Sequence, residues 1–413
     1  MSEALEPEIT EPEFCPNPTC RYYHRDAAAA AALTTPRWYR RCGCFPTQSR
    51  GAIQRFRCLS CGKTCSTQTF SIHYWTHGTV DLERLHQDLD SASGLRQIAR
   101  RWRCCYRVVA NRISRLSRSA LALMDAALSG AVITEDIAID GFAAFVRSQY
   151  FPADVNIAVG AHSQFLYALS LSALRRSGRM TAVQRRRRAM IDALWHPPKH
   201  SVRDGMALVL ESLAEPLAYG LPQSPPIGAR RICSDEHHSY PHAIASVRLL
   251  GVLTEHRRIV PLTVSSRAPR TQANPVFGPN YVERQIRKNM GEHARQSLKH
   301  AREANSMMER LAIFSASHNF FTPHRVADRV DSAAEPTHAD VARLAGRPAV
   351  QSVLRRFYTH RHLWGHMSQK AGWIRKIWQH EYENPPAVDF RTGKPSKTVV
   401  ALAAGIMPAH LAA

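Results

Sequence analysis

The spacing of hydrophobic positions changes along this chain, and the changes mark its elements. Between Gly94 and Arg118, Leu95, Ile98, Val108, Val109, Ile113 and Leu116 recur at helical spacing, which predicts two short amphipathic helices joined near Arg103 to Cys105. From Ile133 to Asp140 apolar residues alternate with others, and Gly141 follows as at a turn, so this segment predicts a strand carrying Asp140 at its end. Val155 to Val159 and Phe165 to Leu171 predict two further strands, giving an antiparallel three-strand start. Helices are expected around Arg185 to Arg188 and from Val202 to Leu217, with Pro222, Pro225 and Pro226 closing the excursion. Arg230 to Asp235 predicts a short strand with Asp235 at its end, and His238 to Leu250 a helix behind it. Pro275 and Pro279 delimit a loop, Asn280 can cap, and Tyr281 to Phe314 lacks proline and glycine except Gly291, as a long helix would.

The chain ends differently from how it begins. Residues 326 to 345 carry mixed charge with alanine, Val350 to Tyr382 is basic and aromatic with Trp364, Trp373 and Trp378, and the last thirty residues read as partly disordered. The basic aromatic stretch fits a DNA-contacting or subunit-contacting helix, or a packing arm. These patterns predict an α/β multidomain chain: a cysteine-rich module over residues 1–78, a helix-turn-helix over 79–128, a mixed sheet flanked by helices over 129–325 with an insertion at about 172–228, and a helical extension over 326–413.

Charge narrows the function. The chain has 55 Lys and Arg against 33 Asp and Glu, a net charge of +22, and such a surface attracts a phosphate backbone through counterion release. No run approaches the roughly 18 to 20 apolar residues of a spanning helix, so no membrane partner is expected. MSEALEPEIT is acidic and lacks the apolar stretch of a signal peptide, which points to the cytoplasm and its nucleoid.

Seven of the ten cysteines lie between residues 15 and 65, and in a reducing compartment such clustering favours metal over disulfide. Cys15-Pro-Asn-Pro-Thr-Cys20 and Cys58-Leu-Ser-Cys61-Gly62 are two paired-cysteine turns, each able to give two thiolates to a tetrahedral structural Zn2+ site. His24, Cys42, Cys44 and Cys65 are alternative ligands, and buried free thiols are the competing explanation. Ala27 to Ala32 reads as an inserted loop or short helix without chemistry.

The Gly94–Arg118 segment holds eight arginines and no acid. As a helix-turn-helix it would offer Arg107, Asn111, Arg112 and Arg115 from its second helix to double-stranded DNA; the alternative is a solvated basic face on a structural helix. Cys104 and Cys105 suit small residues of the turn.

Asp140 and Asp235 close two predicted strands, and the carboxyl edge of a sheet is where ligands gather in open α/β folds. Glu236 falls on the opposite face by period-two alternation, and His237 and His238 suit Mg2+ less well than oxygen ligands do. Glu283 opens the long helix. At about 100° per residue Glu292 and Glu303 lie roughly 180° and 200° away, and Glu309 lies about 39 Å along the axis. Each acid has a plainer role: a turn residue at Asp140, a helix-start cap at Asp235, a capping box with Asn280 at Glu283. Jointly, intervals of 95 and 48 residues with an insertion before the second acid favour a shared site.

RFRCLSCGKT, IAIDGF, ICSD, NYVERQIRKN and HNFFTPHR, spread over about residues 14 to 325, resemble the DDE transposases of bacterial insertion sequences, in which a zinc ribbon and a helix-turn-helix precede a ribonuclease-H-like catalytic core. Cys65, where such ribbons often carry an aromatic residue, and the widening alanine run depart from that pattern. The resemblance implies that Asp140, Asp235 and Glu283 are catalytic and hold two Mg2+ or Mn2+ ions, Asp140 touching both, for DNA strand cleavage and strand transfer. Arg284 and Arg287 become candidate phosphate contacts, and a homo-oligomer on element ends and target DNA is expected. The competing expectations are a zinc-ribbon DNA-binding regulator or an inactive transposase-derived protein, and a ribonuclease-H-like nuclease that cuts without transfer.

Overall fold

In a computed structural model the described residues are 11–363 with gaps at 35, 49, 79, 194–195, 222–227, 294–300 and 326–334, together with 366, 388–389 and 394–395. Pro222, Pro225, Pro226, Trp364, Trp373, Trp378 and most of the last thirty residues therefore lie outside the described residues. The chain divides into two compact units, one built from residues 1–88, 95–127 and 347–372, the other from 89–94, 128–346 and 373–413. The expected extension, 326–413, is thus divided between them.

The first unit opens with a short helix, α1 (Arg25–Ala32), in the alanine run, and a three-stranded antiparallel sheet in the order β1 (Tyr39–Thr47), β2 (Gly51–Cys58), β3 (Thr64–Ser66). Phe14, Ala28, Trp38, Phe56 and Phe70 are buried in one cluster with Cys15, Cys20, Cys58 and Cys65, so the alanine helix supplies packing. Helices α2 (Leu82–Asp90), α3 (Leu95–Arg101) and α4 (Tyr106–Leu128) follow. The turn between α3 and α4 closes as the spacing predicts: Cys104 N–H donates to Ala99 O, and Arg103 adopts a left-handed conformation.

Residues 347–363 form a packing arm of this unit. Arg347 donates to Ala126 O ahead of α12 (Pro348–Leu354); Ile72 N–H donates to Thr359 O and Arg361 N–H to Phe70 O. His86 Nδ1 and the Tyr358 hydroxyl lie 2.8 Å apart.

The second unit is built on a five-stranded sheet in the order β6-β5-β4-β7-β8. β4 (Ile137–Phe145), β5 (Pro152–Gly160) and β6 (Leu166–Ala173) are antiparallel; β7 (Arg230–Ser234) and β8 (Ile259–Thr263) run parallel to β4. Ile137, Ile139, Val155, Ile157 and Leu171 are essentially inaccessible, so the alternation of the sequence becomes one interior. β8 was not among the expected strands.

Three expectations need correction here. β4 continues through Gly141 to Phe145, so Asp140 lies within its strand; what ends nearby is the pairing with β7, confined to Ile137↔Ile232 and Ala138↔Cys233. The segment expected as an insertion holds α5 (Ala182–Asp192) and α6 (Ser201–Tyr219), and α6 packs on β5 and β6 as a layer of the core. A Cβ at Gly205 of α6 would strike Ser172 and Asn156, whose amide donates to Ser170 and Ser172; the helix meets the sheet there at backbone distance. Finally, the helix expected from Tyr281 to Phe314 is broken into α9 (Phe277–Asn289), a 3-10 turn (Gly291–His293) and α10 (Ala304–Ala316), followed by a π-helical turn (Ser317–Phe321). Between β7 and β8 lie α7 (Ser239–Ser246) and α8 (Arg248–Glu255), and α11 (His338–Val341) precedes the arm.

The motif HNFFTPHR has a structural use. Asn319 accepts from Leu166 N–H and donates to Leu166 O, while His318 and His338, stacked at 4.0 Å between ring centroids, reach Gln164 O and Ser163 O. The turn into β6 is fixed by these contacts. No helix among the described residues is long and apolar enough to cross a membrane.

Candidate functional site

Four cysteines converge in the first unit. Cys15 Sγ lies 3.5 Å from Cys61 Sγ, Cys20 Sγ lies 3.8 Å from Cys58 Sγ, and all four sulfurs fall within 4.8 Å of one another. Tetrahedral ligation at the usual Zn–S length of ~2.3 Å separates sulfurs by roughly 3.8 Å, so the spacing is that of a four-thiolate metal site. Local turns produce it: Gly62 takes a left-handed φ of 72° and donates to Cys58 O, while Cys58 N–H donates to Lys63 O. Burial pushes the Cys58 thiol up; burial acts likewise on Cys61, but hydrogen bonds from Asn17, the Lys63 backbone and the neighbouring cysteines outweigh it and bring Cys61 down to about 6. Of the alternative ligands, Cys65 is buried with its thiol pushed up to about 12, first by burial, and Cys44 donates to Gln54.

The four residues expected to read DNA differ in orientation. Arg107 and Asn111 are exposed on α4. Arg112 is buried, donating to Gly78 O at 2.9 Å and to Asn111 Oδ1; Arg115 donates to Asn111 Oδ1 and to Ile72 O at 2.7 Å. Arg112 therefore braces the unit from inside, a correction to its expected outward role. Helical periodicity alone gave it a polar face, whereas the carbonyls of Gly78 and Ile72 draw these two side chains inward.

In the second unit a cleft of about 1080 Å³ is lined by Asp140, Asp235 and Glu283 together. Asp140 comes from β4, Asp235 from the loop just after β7, and Glu283 from α9, so the three predicted acids meet although 95 and 48 residues separate them. The early end of β4–β7 pairing opens the sheet between Asp140 and Asp235. Asp140 Oδ1 accepts from Gly141 N–H, and Asp235 Oδ1 from His237 N–H. Glu283 lies inside α9, which begins at Phe277; Asn280 is a buried helical residue donating to Val276 O, so the capping box does not form. Glu283 is held by an ion pair with Arg287 one turn on. Among the described residues the carboxylate oxygens do not gather into a tight ligand group as the sulfurs do.

The electrostatics identify these acids as one system. Burial pushes the Asp140 carboxyl up to about 7, the Gly141 N–H opposes it, and the charges of Asp235, Glu283 and Asp154 add to the rise. Asp154 on β5 is pushed up to about 6 by burial and then by Asp235 and Glu283. Its carboxylate fills the space a Cβ at residue 141 would occupy, which explains the glycine after Asp140. The buried Tyr240 of α7 is raised by burial and then by Asp140, Asp154 and Asp235.

Arg147, Arg176, Arg187, Arg270 and Arg287 line the same cleft, as do Glu292 and His293. The angular exclusion of Glu292 fails because α9 ends before it. Arg284, expected at a phosphate, is exposed, lies 6.0 Å from the Phe277 ring and is not among the lining residues. Glu236 accepts from Ser266, and His237 stacks on His238. Asp154, Tyr240 and the arginines outside α9 escaped sequence reasoning because strand pairing and loop return, rather than local spacing, bring them here. The one local signal was the arginine run of α5, which contains Arg187.

Compared with known proteins, the chain matches no family model and no curated protein sequence.

Proposed function

We propose that this chain is a DNA strand-cutting and strand-transfer enzyme of the DDE transposase type, acting on element ends through its first unit and on the phosphodiester through the cleft of its second. The observation that carries this reading is the convergence of Asp140, Asp235 and Glu283 on one cleft from the first strand of the sheet, the end of the fourth strand and a helix, flanked by five arginines. A cleft lined by both arginines and carboxylates suits a polyanion whose reacting phosphate is shared with cations.

The donor set fits divalent cations. The carboxylates supply hard oxygen ligands, and Asp140, raised first by burial and then by the charges of Asp235, Glu283 and Asp154, is a group whose ionised form a cation would favour. Bound Mg2+ or Mn2+ would supply activation of an attacking water or 3′-hydroxyl and neutralisation of the leaving oxygen. The chain's own residues do the rest. Asp140, Asp235 and Glu283 would hold the ions, Gly141 N–H and His237 N–H orient the Asp140 and Asp235 carboxylates, and Arg187 and Arg287 grip the strand at its phosphates. The four cysteines fit Zn2+, which would tie the Cys15–Cys20 turn to the Cys58–Cys61 turn and hold the DNA-binding unit in shape. Arg107 and Asn111 are the exposed candidates of α4 for duplex contacts, and joining two ends calls for more than one copy of the chain.

The test is a strand-transfer assay in magnesium with the gene's own flanking DNA, native chain against Asp235→Asn. Joined donor and target products that vanish in the variant are expected. Specific binding to those flanks with no nicking in magnesium or manganese would replace this reading with that of a DNA-binding regulator.

A further inference from the structure

The cleft also holds a buried polar group beside its carboxylates and arginines. His293, in the 3-10 turn after α9, is 4% exposed, lines the cleft and packs edge-on against Phe142 of β4. Neither of its ring nitrogens has a hydrogen-bond partner among the described residues. Arg310 of α10 is similar: Nη1 pairs with Glu292 at 3.0 Å, while Nε and Nη2 are buried with no hydrogen-bond partner among the described residues. Native folds satisfy nearly all buried polar groups, and a group left unpaired marks a place where a ligand or ordered water belongs.

The surrounding charges select the ligand. The charged groups that act on His293 are Arg310 and Arg287, both cations, and the nearby Glu292 is already neutralised by Arg310. Burial first, and then those two guanidinium groups, push the imidazole down to about 3, so it stands neutral with one N–H and one lone pair. Unused N–H donors in a locally cationic setting match an oxyanion and repel a metal ion.

We propose that His293 and Arg310 form a phosphate subsite beside the carboxylates, holding a non-bridging oxygen of a backbone phosphate of the nucleic acid strand in the cleft. The proposal rests on the strand-cutting reading of that cleft and adds to it the groups that set the register of the strand. His293 acts by positioning: its N–H fixes where the strand lies relative to Asp140 and Asp235, and it exchanges no proton with the reacting atoms.

The test uses the full chain labelled with ring-15N histidine, with the His293 signal assigned from His293→Gln and His293→Asn. A short DNA duplex is titrated in with calcium in place of magnesium, and fluorescence anisotropy follows binding in the same samples. The expected result is a saturable shift of the His293 ring nitrogens with duplex, absent in Arg310→Gln and reproduced by inorganic phosphate only at far higher concentration. A still His293 signal while anisotropy reports bound duplex overturns the subsite, as does an equal response to phosphate and duplex, which would make it a free-anion site. In magnesium, His293→Leu is expected to lower kcat/KM by about tenfold, the value of one hydrogen bond of ~1.4 kcal/mol, and His293→Gln to recover part of it through its own N–H. A shifted His293 in a protein that never cuts leaves the subsite standing and removes the strand-cutting reading; cutting with an unmoved His293 does the reverse.

Discussion

The two candidate metal sites of this chain differ in how complete the protein makes them. In the cysteine cluster four sulfurs lie within 4.8 Å of one another. In the cleft the carboxylates share one lining but stay apart; Asp140 is pushed towards its neutral form, and Glu283 is occupied by Arg287. The difference is one of charge. Cysteine side chains are small and pack readily in a core of Phe14, Trp38 and Phe56, so tight turns bring the soft ligands together. Carboxylates repel one another and resist burial, so a fold can aim them but needs countercharge to close them.

The sharpest way to break the comparison is to remove the zinc proposed at the cysteines. Structural zinc contributes on the order of 10 kcal/mol to small domains, so Cys58→Ser or a strong chelator is expected to unfold the first unit and abolish DNA binding, with the second unit's thermal transition kept. Calorimetry with metal analysis checks this; an unchanged first transition in a metal-free protein would reduce the cluster to packed thiols. The next effect belongs to the cleft. Asp235→Asn is expected to lower strand cleavage by a factor on the order of a thousand while anisotropy on flanking DNA is unchanged. Residual cleavage within tenfold of the native chain would move the chemistry away from Asp235.

Much of this contrast was legible in the sequence, and the parts that were not have a common cause. Cys15, Cys20, Cys58 and Cys61 are named by turn spacing alone, and α3 and α4 by period. Asp140, Asp235 and Glu283 could be selected from strand-like alternation, a strand end and a helix opening, although Asp140 lies within β4 and Glu283 inside α9. Whatever depended on the return of the chain was hidden: Arg112 turning inward to Gly78, Asp154 reaching Gly141 from the next strand, α6 closing on the sheet at Gly205. The long-helix expectation failed for a related reason. Gly291 is one weak breaker in the sequence, but the chain leaves the helix at Met290, and the turn that follows brings Glu292 and His293 back to the cleft.

Burial and acidic neighbours together give the cleft a pH signature. The Asp140 carboxyl is raised by burial and by Asp235, Glu283 and Asp154 to about 7 in the fold, against an ordinary value of 3.8. Its protonated form is therefore favoured by folding: that stability is fully present below pH 3.8 and is lost as pH rises through about 7. Asp140→Asn removes the titration. The metal-free variant is expected to exceed the native chain in stability by about 1 to 3 kcal/mol at pH 8, a margin that shrinks as the pH falls towards 4. Denaturant unfolding at the two pH values measures this, and magnesium added at pH 8 is expected to close the gap by stabilising the native chain alone.

The smallest effect concerns the ion pair that keeps Glu283 from its neighbours. Glu283 and Arg287 stand one turn apart in the orientation that favours a helical pair, and both side chains are mostly sheltered. Arg287 thus holds the carboxylate while no cation does, and a cation entering the cleft must draw Glu283 away from it. Arg287→Gln is then expected to strengthen Mg2+ binding, read by calorimetry in the absence of DNA, by roughly twofold, the size of a pair worth about 0.5 kcal/mol. Affinity for DNA is expected to fall at the same time, because Arg287 also lines the cleft proposed to take the strand. Weaker magnesium binding in the variant would mean that Arg287 holds Glu283 ready for the cation instead of withholding it, and the acidic cleft would then be as pre-assembled as the cysteine cluster.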